Sequence, residues 1–109
     1  MSEEKIKTLQ NYEYNLQQLL MQKQQIHSNL AEIDNALKEL ENTNEAYQII
    51  GGILVKKSPG NISSSLNEKK ELLDIRLKAI DKQEKTLNEK ASALQKEVME
   101  EMKENDSKR

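Results

Sequence analysis

From Leu9 onward, apolar residues return every three or four positions: Leu9, Tyr12, Leu16, Leu19, Lys23, Ile26, Leu30, Ile33, Leu37 and Leu40. With Leu9 at heptad position a, lysine 23 is the only one of these a and d sites that is not apolar. A heptad sustained over this length predicts one long helix whose seam must meet a second helix. A weaker repeat follows from Leu66. Its d sites are Leu66, Leu73, Ile80, Leu87 and Leu94, but its a sites are Lys70, Leu77, Glu84, Ala91 and Val98. Every glycine (Gly51, Gly52, Gly60) and the single proline, Pro59, fall between the two repeats, which places the chain reversal there.

Two helices of about 40 residues each, on the order of 60 Å long, are too narrowly apolar to be buried all round and unstable alone in water. A short connection makes them an antiparallel pair. Matching a sites to d sites sets partners whose numbers total about 103: Leu37 with Leu66, Leu30 with Leu73, Leu16 with Leu87, Leu9 with Leu94. In that register Leu19 faces Glu84, and Lys23 is expected to reach along the seam to Glu84 as a register-fixing polar contact. Outward of Leu94 the next layer is Lys5 with Val98, so the seam is expected to fail there. Ser58 before Pro59 reads as an N-cap and first helical position, with Ser65 and Glu68 as a competing capping box.

Between the helices the period changes. Residues 47–50 and 53–56 flank Gly51-Gly52, a dipeptide suited to a two-residue type I′ or II′ hairpin turn. The expected pairs are Ile50 with Ile53, Ile49 with Leu54, Gln48 with Val55, and Tyr47 with Lys56. Alternation then puts Tyr47, Ile49 and Leu54 on one face and Ile50, Ile53 and Val55 on the other, so both faces are apolar. A lone hairpin is marginal in water, and two open strand edges add to the problem. One solution folds the hairpin back on its own coil. The other pairs it with hairpins of further chains, closing a barrel that removes the edges and buries both faces. The second is favoured, with Leu72 and Ile75, off the seam, packing beneath that barrel.

The fold class expected is therefore mostly α: a long antiparallel two-helix coiled coil joined by a central β-hairpin that assembles into an intersubunit β-barrel. A single domain, 1–109, is expected, with helices over about 4–43 and 59–104 and the hairpin over about 46–57.

Composition narrows the function. The chain has 109 residues, 33% of them charged and only 35% hydrophobic, with a mean hydropathy of -0.90, which speaks against one spherical core. Seventeen Lys and Arg against nineteen Asp and Glu give a net charge of -2 with no basic block. That pattern and the scarcity of aromatic residues point away from nucleic acid. No apolar run approaches the ~20 residues that span a bilayer, so no membrane partner is expected and the chain reads as cytoplasmic. Cysteine is absent. No nucleophile and base pair, metal cluster or phosphate loop is visible, so the chain reads as a non-enzyme without cofactor or metal. His27, at an e position in a Gln-rich stretch, reads as a solvated helix histidine. Glu68 with Lys69 and Lys70, and Asp81 with Lys85, read as solubilising ion pairs.

The order helix, Tyr47-x-Ile49-Ile50-Gly51-x-Ile53-Leu54-Val55-Lys56, helix beginning Leu66-x-Glu68-Lys69-Lys70-Glu71 and continuing through Asp81-Lys82-Gln83-Glu84 resembles the beta-type subunits of the prefoldin family, most of all the archaeal ones. The likeness covers about residues 5–102. A single hairpin distinguishes beta-type from alpha-type subunits, which carry two. The segment Ser58-Pro59-Gly60-Asn61 departs from the usual acidic stretch and leaves the start of the second helix open.

The resemblance implies a hexamer of two alpha-type and four beta-type subunits (α2β4), with the hairpin residues Tyr47, Ile49, Ile50, Gly51, Gly52, Ile53, Leu54 and Val55 forming the oligomer contact. It implies an ATP-independent holdase that captures unfolded polypeptides at the coil ends and passes them to a group II chaperonin. The candidate client-binding residues at those ends are Ile6, Leu9, Tyr14, Leu20, Met21, Val98, Met99 and Met102. Adaptable methionines and exposed apolar groups suit a surface that must fit many sequences. The alternative is a structural coiled-coil scaffold that sets oligomer number and tethers fixed partners.

Overall fold

The computed structural model describes residues 2–107. In chain order they form helix α1 (Ser2–Glu41), strands β1 (Ala46–Ile50) and β2 (Ile53–Lys57), and helix α2 (Pro59–Ser107). The helices account for almost all of the chain because their sequences hold no breaker except at the α2 start.

Each boundary has a local cause. Helix α1 stops at Glu41, where the Asn42 N–H turns back to the Glu39 carbonyl at 3.2 Å. The Thr43 hydroxyl then donates to the Glu45 carbonyl (2.9 Å) and accepts from the Glu45 N–H (3.2 Å), a side-chain turn that competes with helical hydrogen bonding. Helix α2 begins where Ser58 caps it. Its Oγ accepts the Asn61 N–H at 3.2 Å, and its carbonyl accepts the first helical bonds from Asn61 and Ile62. Pro59 stands at the first helical position, where it has no N–H to leave orphaned. The Ser65 alternative is thereby excluded, since that residue lies inside the helix.

The strands form a two-stranded antiparallel sheet in the expected register, with Tyr47 opposite Lys56, Gln48 opposite Val55, Ile49 opposite Leu54 and Ile50 opposite Ile53. Gly51 and Gly52 both have positive φ, 55° and 79°, which selects the type I′ turn. Side chains other than glycine are strained in that region.

The chain divides into two compact units. One joins residues up to Lys23 with those from Lys78 onward; the other is Gln24–Leu77 and contains the hairpin. Within the first, Leu19, Ile80 and Val98 are buried, and Leu16, Leu87, Ala91 and Leu94 are half-buried. Within the second, Ile26, Ile33 and Ala46 are buried, while Leu30, Leu37, Leu66 and Leu73 are half-buried. In both units the core is the heptad seam. One narrow stripe on each of two helices leaves most seam leucines part-exposed, because only one flank is covered.

Ion pairs cross the seam at the two polar a sites of α2. Lys23 lies 2.9 Å from Asp81 and 3.4 Å from Glu84. Lys70 lies 2.9 Å from Asp34. The Lys23–Glu84 contact is as expected, whereas the pairs expected from helical spacing are Asp81 with Lys85 and Glu68 with Lys69 and Lys70. Asp81 instead turns to Lys23 and Lys70 to Asp34, since a lysine stem bedded on the seam brings its charge across to the opposite helix.

The expected failure of the seam beyond Leu94 is also corrected. Val98 is only 8% exposed, α2 continues to Ser107, and Lys5 bonds Glu101 while approaching Glu97 at 3.5 Å. Two carboxylates spaced by four residues share one face of α2 and clasp the lysine from α1.

Candidate functional site

The hairpin presents its side chains to solvent on both faces. Ile49 is 73% exposed, Ile53 66% and Leu54 64%, and Tyr47, Ile50 and Val55 are exposed as well. Only Ala46, at the base of β1, is buried. With two strands in the sheet, β1 and β2 each keep an unpaired edge. The single ion pair on the hairpin joins Lys56 and Glu45 at 3.7 Å. Nothing in the unit covers the strands, so the hairpin does not fold back on its own helices. Leu72 and Ile75 are also exposed, at 68% and 65%, and Leu72 lines a shallow groove with Ile33, Leu66 and Leu73.

In the other unit, six of the candidate client residues are exposed: Ile6, Tyr14, Leu20, Met21, Met99 and Met102. Leu9 is half-buried and Val98 buried, so these two belong to the seam beneath that surface. Met99 and Met102, three residues apart, lie on one side of α2 beside the Lys5 clasp, with Met99 between Glu97 and Glu101 in the chain.

Each unit holds at least one lysine whose pKa its ion pairs raise. The hydrogen bond that Lys23 donates to Asp81, joined by one to Glu84, raises the pKa of its ammonium above the ordinary 10.5 against the opposing effect of partial desolvation. The Glu101 hydrogen bond does the same for Lys5, and the Asp34 hydrogen bond for Lys70. All three lysines stay charged across the physiological range. Among the described residues, no group of three His, Cys, Asp or Glu side chains is placed to hold a metal ion. His27 is exposed. No helix is long and apolar enough to cross a membrane among the described residues.

Sequence reasoning passed over one surface. The Gln-rich stretch of α1 and part of α2 form a cleft lined by uncharged amides, including Gln18, Gln22 and Gln83. Its signal was the run of neutral polar residues in a strongly charged chain.

Together these features define a class of protein: two long helices interrupted by one hairpin, with bare apolar surface on the hairpin and at the helix termini. Residues 3–105 match the family model described as prefoldin subunit. The chain is 37% identical over 93 residues to prefoldin subunit beta of Thermococcus onnurineus, covering 83% of this chain and 80% of that one. To prefoldin subunit beta of Methanospirillum hungatei it is 35% identical over 100 residues, covering 89% and 83%. The crystal structure of the prefoldin beta subunit from Thermococcus strain KS-1 matches with a TM-score of 0.84 at 32% identity, over 91% of this chain and 90% of that one. The chain belongs to the prefoldin family, as a chaperone subunit of the beta type.

Proposed function

We propose that the chain is an ATP-independent holdase subunit acting in the cytoplasm, held by its hairpin in an α2β4 hexamer. Hairpins from further beta copies and an alpha-type partner pair edge to edge with this one and close a barrel. The observation that carries the assembly is the hairpin itself. Six large side chains on two open faces, next to two unpaired edges, are a surface for which this chain offers no cover.

Client capture falls to Ile6, Tyr14, Leu20, Met21, Met99 and Met102, with Leu9 and Val98 holding the helices together underneath. Unbranched methionines adapt to varied apolar segments, and several copies on one assembly bind an extended client with avidity. Release then passes the client to a group II chaperonin.

Aggregation of several unrelated unfolded proteins, without nucleotide, is the assay. The intact assembly suppresses it for all of them, and a variant with Ile6, Met99 and Met102 replaced by Ser loses much of that suppression while remaining assembled. Val98 is left in place because its loss would open the seam. Undiminished suppression by the Ser variant refutes the assignment of these residues, and suppression confined to one client supports a scaffold with a fixed partner.

A further inference from the structure

We propose that the outward face of α1 around Gln17 and Gln18 is a self-association surface, on which a second copy of this chain pairs antiparallel with the first. The two copies belong to different assemblies, because coils held at one end by a shared barrel cannot run antiparallel to each other. That last point rests on the hairpin reading; the pairing of the two faces does not.

The face is defined by what it lacks. Heptad positions b, c and f point away from α2, because the seam occupies a and d. Between Lys7 and Glu32 no b, c or f position of α1 is charged, in a chain that is 33% charged. The run includes Gln10, Asn11, Tyr14, Gln17, Gln18 and Met21, all of them exposed. In the same unit the b and f positions of α2 carry Lys78, Lys82, Lys85 and Glu89. Amides can be desolvated against other amides at little cost, whereas lysine and glutamate resist burial.

The pattern on this face also fits itself. A two-fold axis between Gln17 and Gln18, perpendicular to α1, relates two antiparallel helices so that f meets f, b meets b and c meets c. Tyr14 then meets Met21 of the second copy, and Met21 meets its Tyr14. Gln17 faces its own copy on one side of the axis, and Gln18 faces its own on the other. Each contact is chemically matched. A methionine thioether packs well on an aromatic ring. Two primary amides can exchange a reciprocal pair of hydrogen bonds, since each has an N–H on the same side as its carbonyl oxygen. Parallel order would instead put Tyr14 on Tyr14 and Lys7 against Lys7 at the edge of the face.

Crossing helices touch over only a few turns, so one such contact is weak. Several coils on each assembly multiply it. Pairing covers Tyr14 and Met21, so on the capture reading an assembly without client shelters part of its capture surface.

The test uses the chain assembled with its alpha-type partner and no client. Sedimentation equilibrium up to ~100 μM should show a species of twice the assembly mass. Tyr14→Glu and Met21→Lys each bring two uncompensated charges into the contact and should weaken this pairing at least about tenfold. In the double variant each glutamate meets a lysine of the second copy, and pairing should return to within about threefold of the parent. Circular dichroism checks that the helices persist in all three. The chain has no cysteine, so single cysteines report geometry directly. Gln17→Cys should form a disulfide with its own copy and trap the doubled mass. Gln10→Cys should not, because its two copies lie ~22 Å apart along antiparallel helices. A parent that never doubles, a double variant that stays dissociated, or equal cross-linking at the two positions overturns the pairing. None of these readouts involves a client, so such a failure leaves the capture residues standing.

Discussion

The hairpin and the terminal helical unit are built from much the same aliphatic residues, yet they end in opposite states. In the unit formed by the two helix ends, Leu19, Ile80 and Val98 are buried, and the ion pairs of Lys5 with Glu97 and Glu101 and of Lys23 with Asp81 and Glu84 close over the seam. On the hairpin, Ile49, Ile53 and Leu54 stand in solvent. Period makes the difference. Apolar residues at heptad spacing collect on one stripe, and a second stripe from the same chain covers it. On strands with apolar residues in consecutive positions, both faces are apolar, and one turn can bring only one more strand. The lesson is that hydrophobicity becomes intramolecular core or intermolecular surface according to how many sides of the element it occupies.

The largest effect expected from breaking this contrast is at the hairpin. Ile53→Asp should abolish the hexamer while leaving helical content nearly unchanged, because each copy would carry an unpaired charge into the shared barrel. Native mass spectrometry with the alpha-type partner, alongside circular dichroism, reads both halves of that expectation. An intact hexamer would refute the barrel.

Ile80→Ala should do the reverse. The side chain is only 4% exposed, so truncation should destabilise the helical pair by about 2 kcal/mol or more and lower the melting temperature, with assembly through the hairpin retained at low temperature. A melting temperature equal to the parent's would mean that the seam is not the source of stability.

A smaller effect is expected at the polar layer. Lys23→Met should leave Asp81 and Glu84 without their cation and loosen the register, seen as additional cross-links between cysteines introduced at mismatched seam positions. Glu84→Leu, if it leaves the register single and only raises the melting temperature, would reduce the layer to packing.

The smallest effect is in pH. Lys5, Lys23 and Lys70 have pKa values raised by folding, so they bind protons more tightly in the folded state. Their contribution is fully present below the unfolded value of 10.5 and is lost as pH rises through the folded values above it. Thermal melts across that alkaline range should fall more steeply for the parent than for Lys23→Met. Parallel curves would show that the Lys23 clasp adds nothing.

Much of this was legible in the chain. The heptads from Leu9 to Leu40 and from Leu66 to Leu94, the breakers between them and the Gly51-Gly52 turn specified two helices and one hairpin in the register observed. These are local or strictly periodic signals, and backbone geometry converts them directly into structure. Lys23 meeting Glu84 also followed from register alone.

Other features were decided only by the tertiary structure. Asp81 could pair along its own helix or across the seam, and sequence spacing favours neither until the lysine stem is laid on a partner helix. Val98 looked like the start of a frayed end because it faced Lys5 on paper; the folded chain lets Lys5 turn to Glu97 and Glu101, freeing the seam for Val98 to be covered. The cleft between Gln18, Gln22 and Gln83 exists only once residues far apart in sequence are side by side. Periodicity determines which stripe of a helix is apolar, but the direction taken by a long flexible side chain depends on the neighbours that folding brings within its reach.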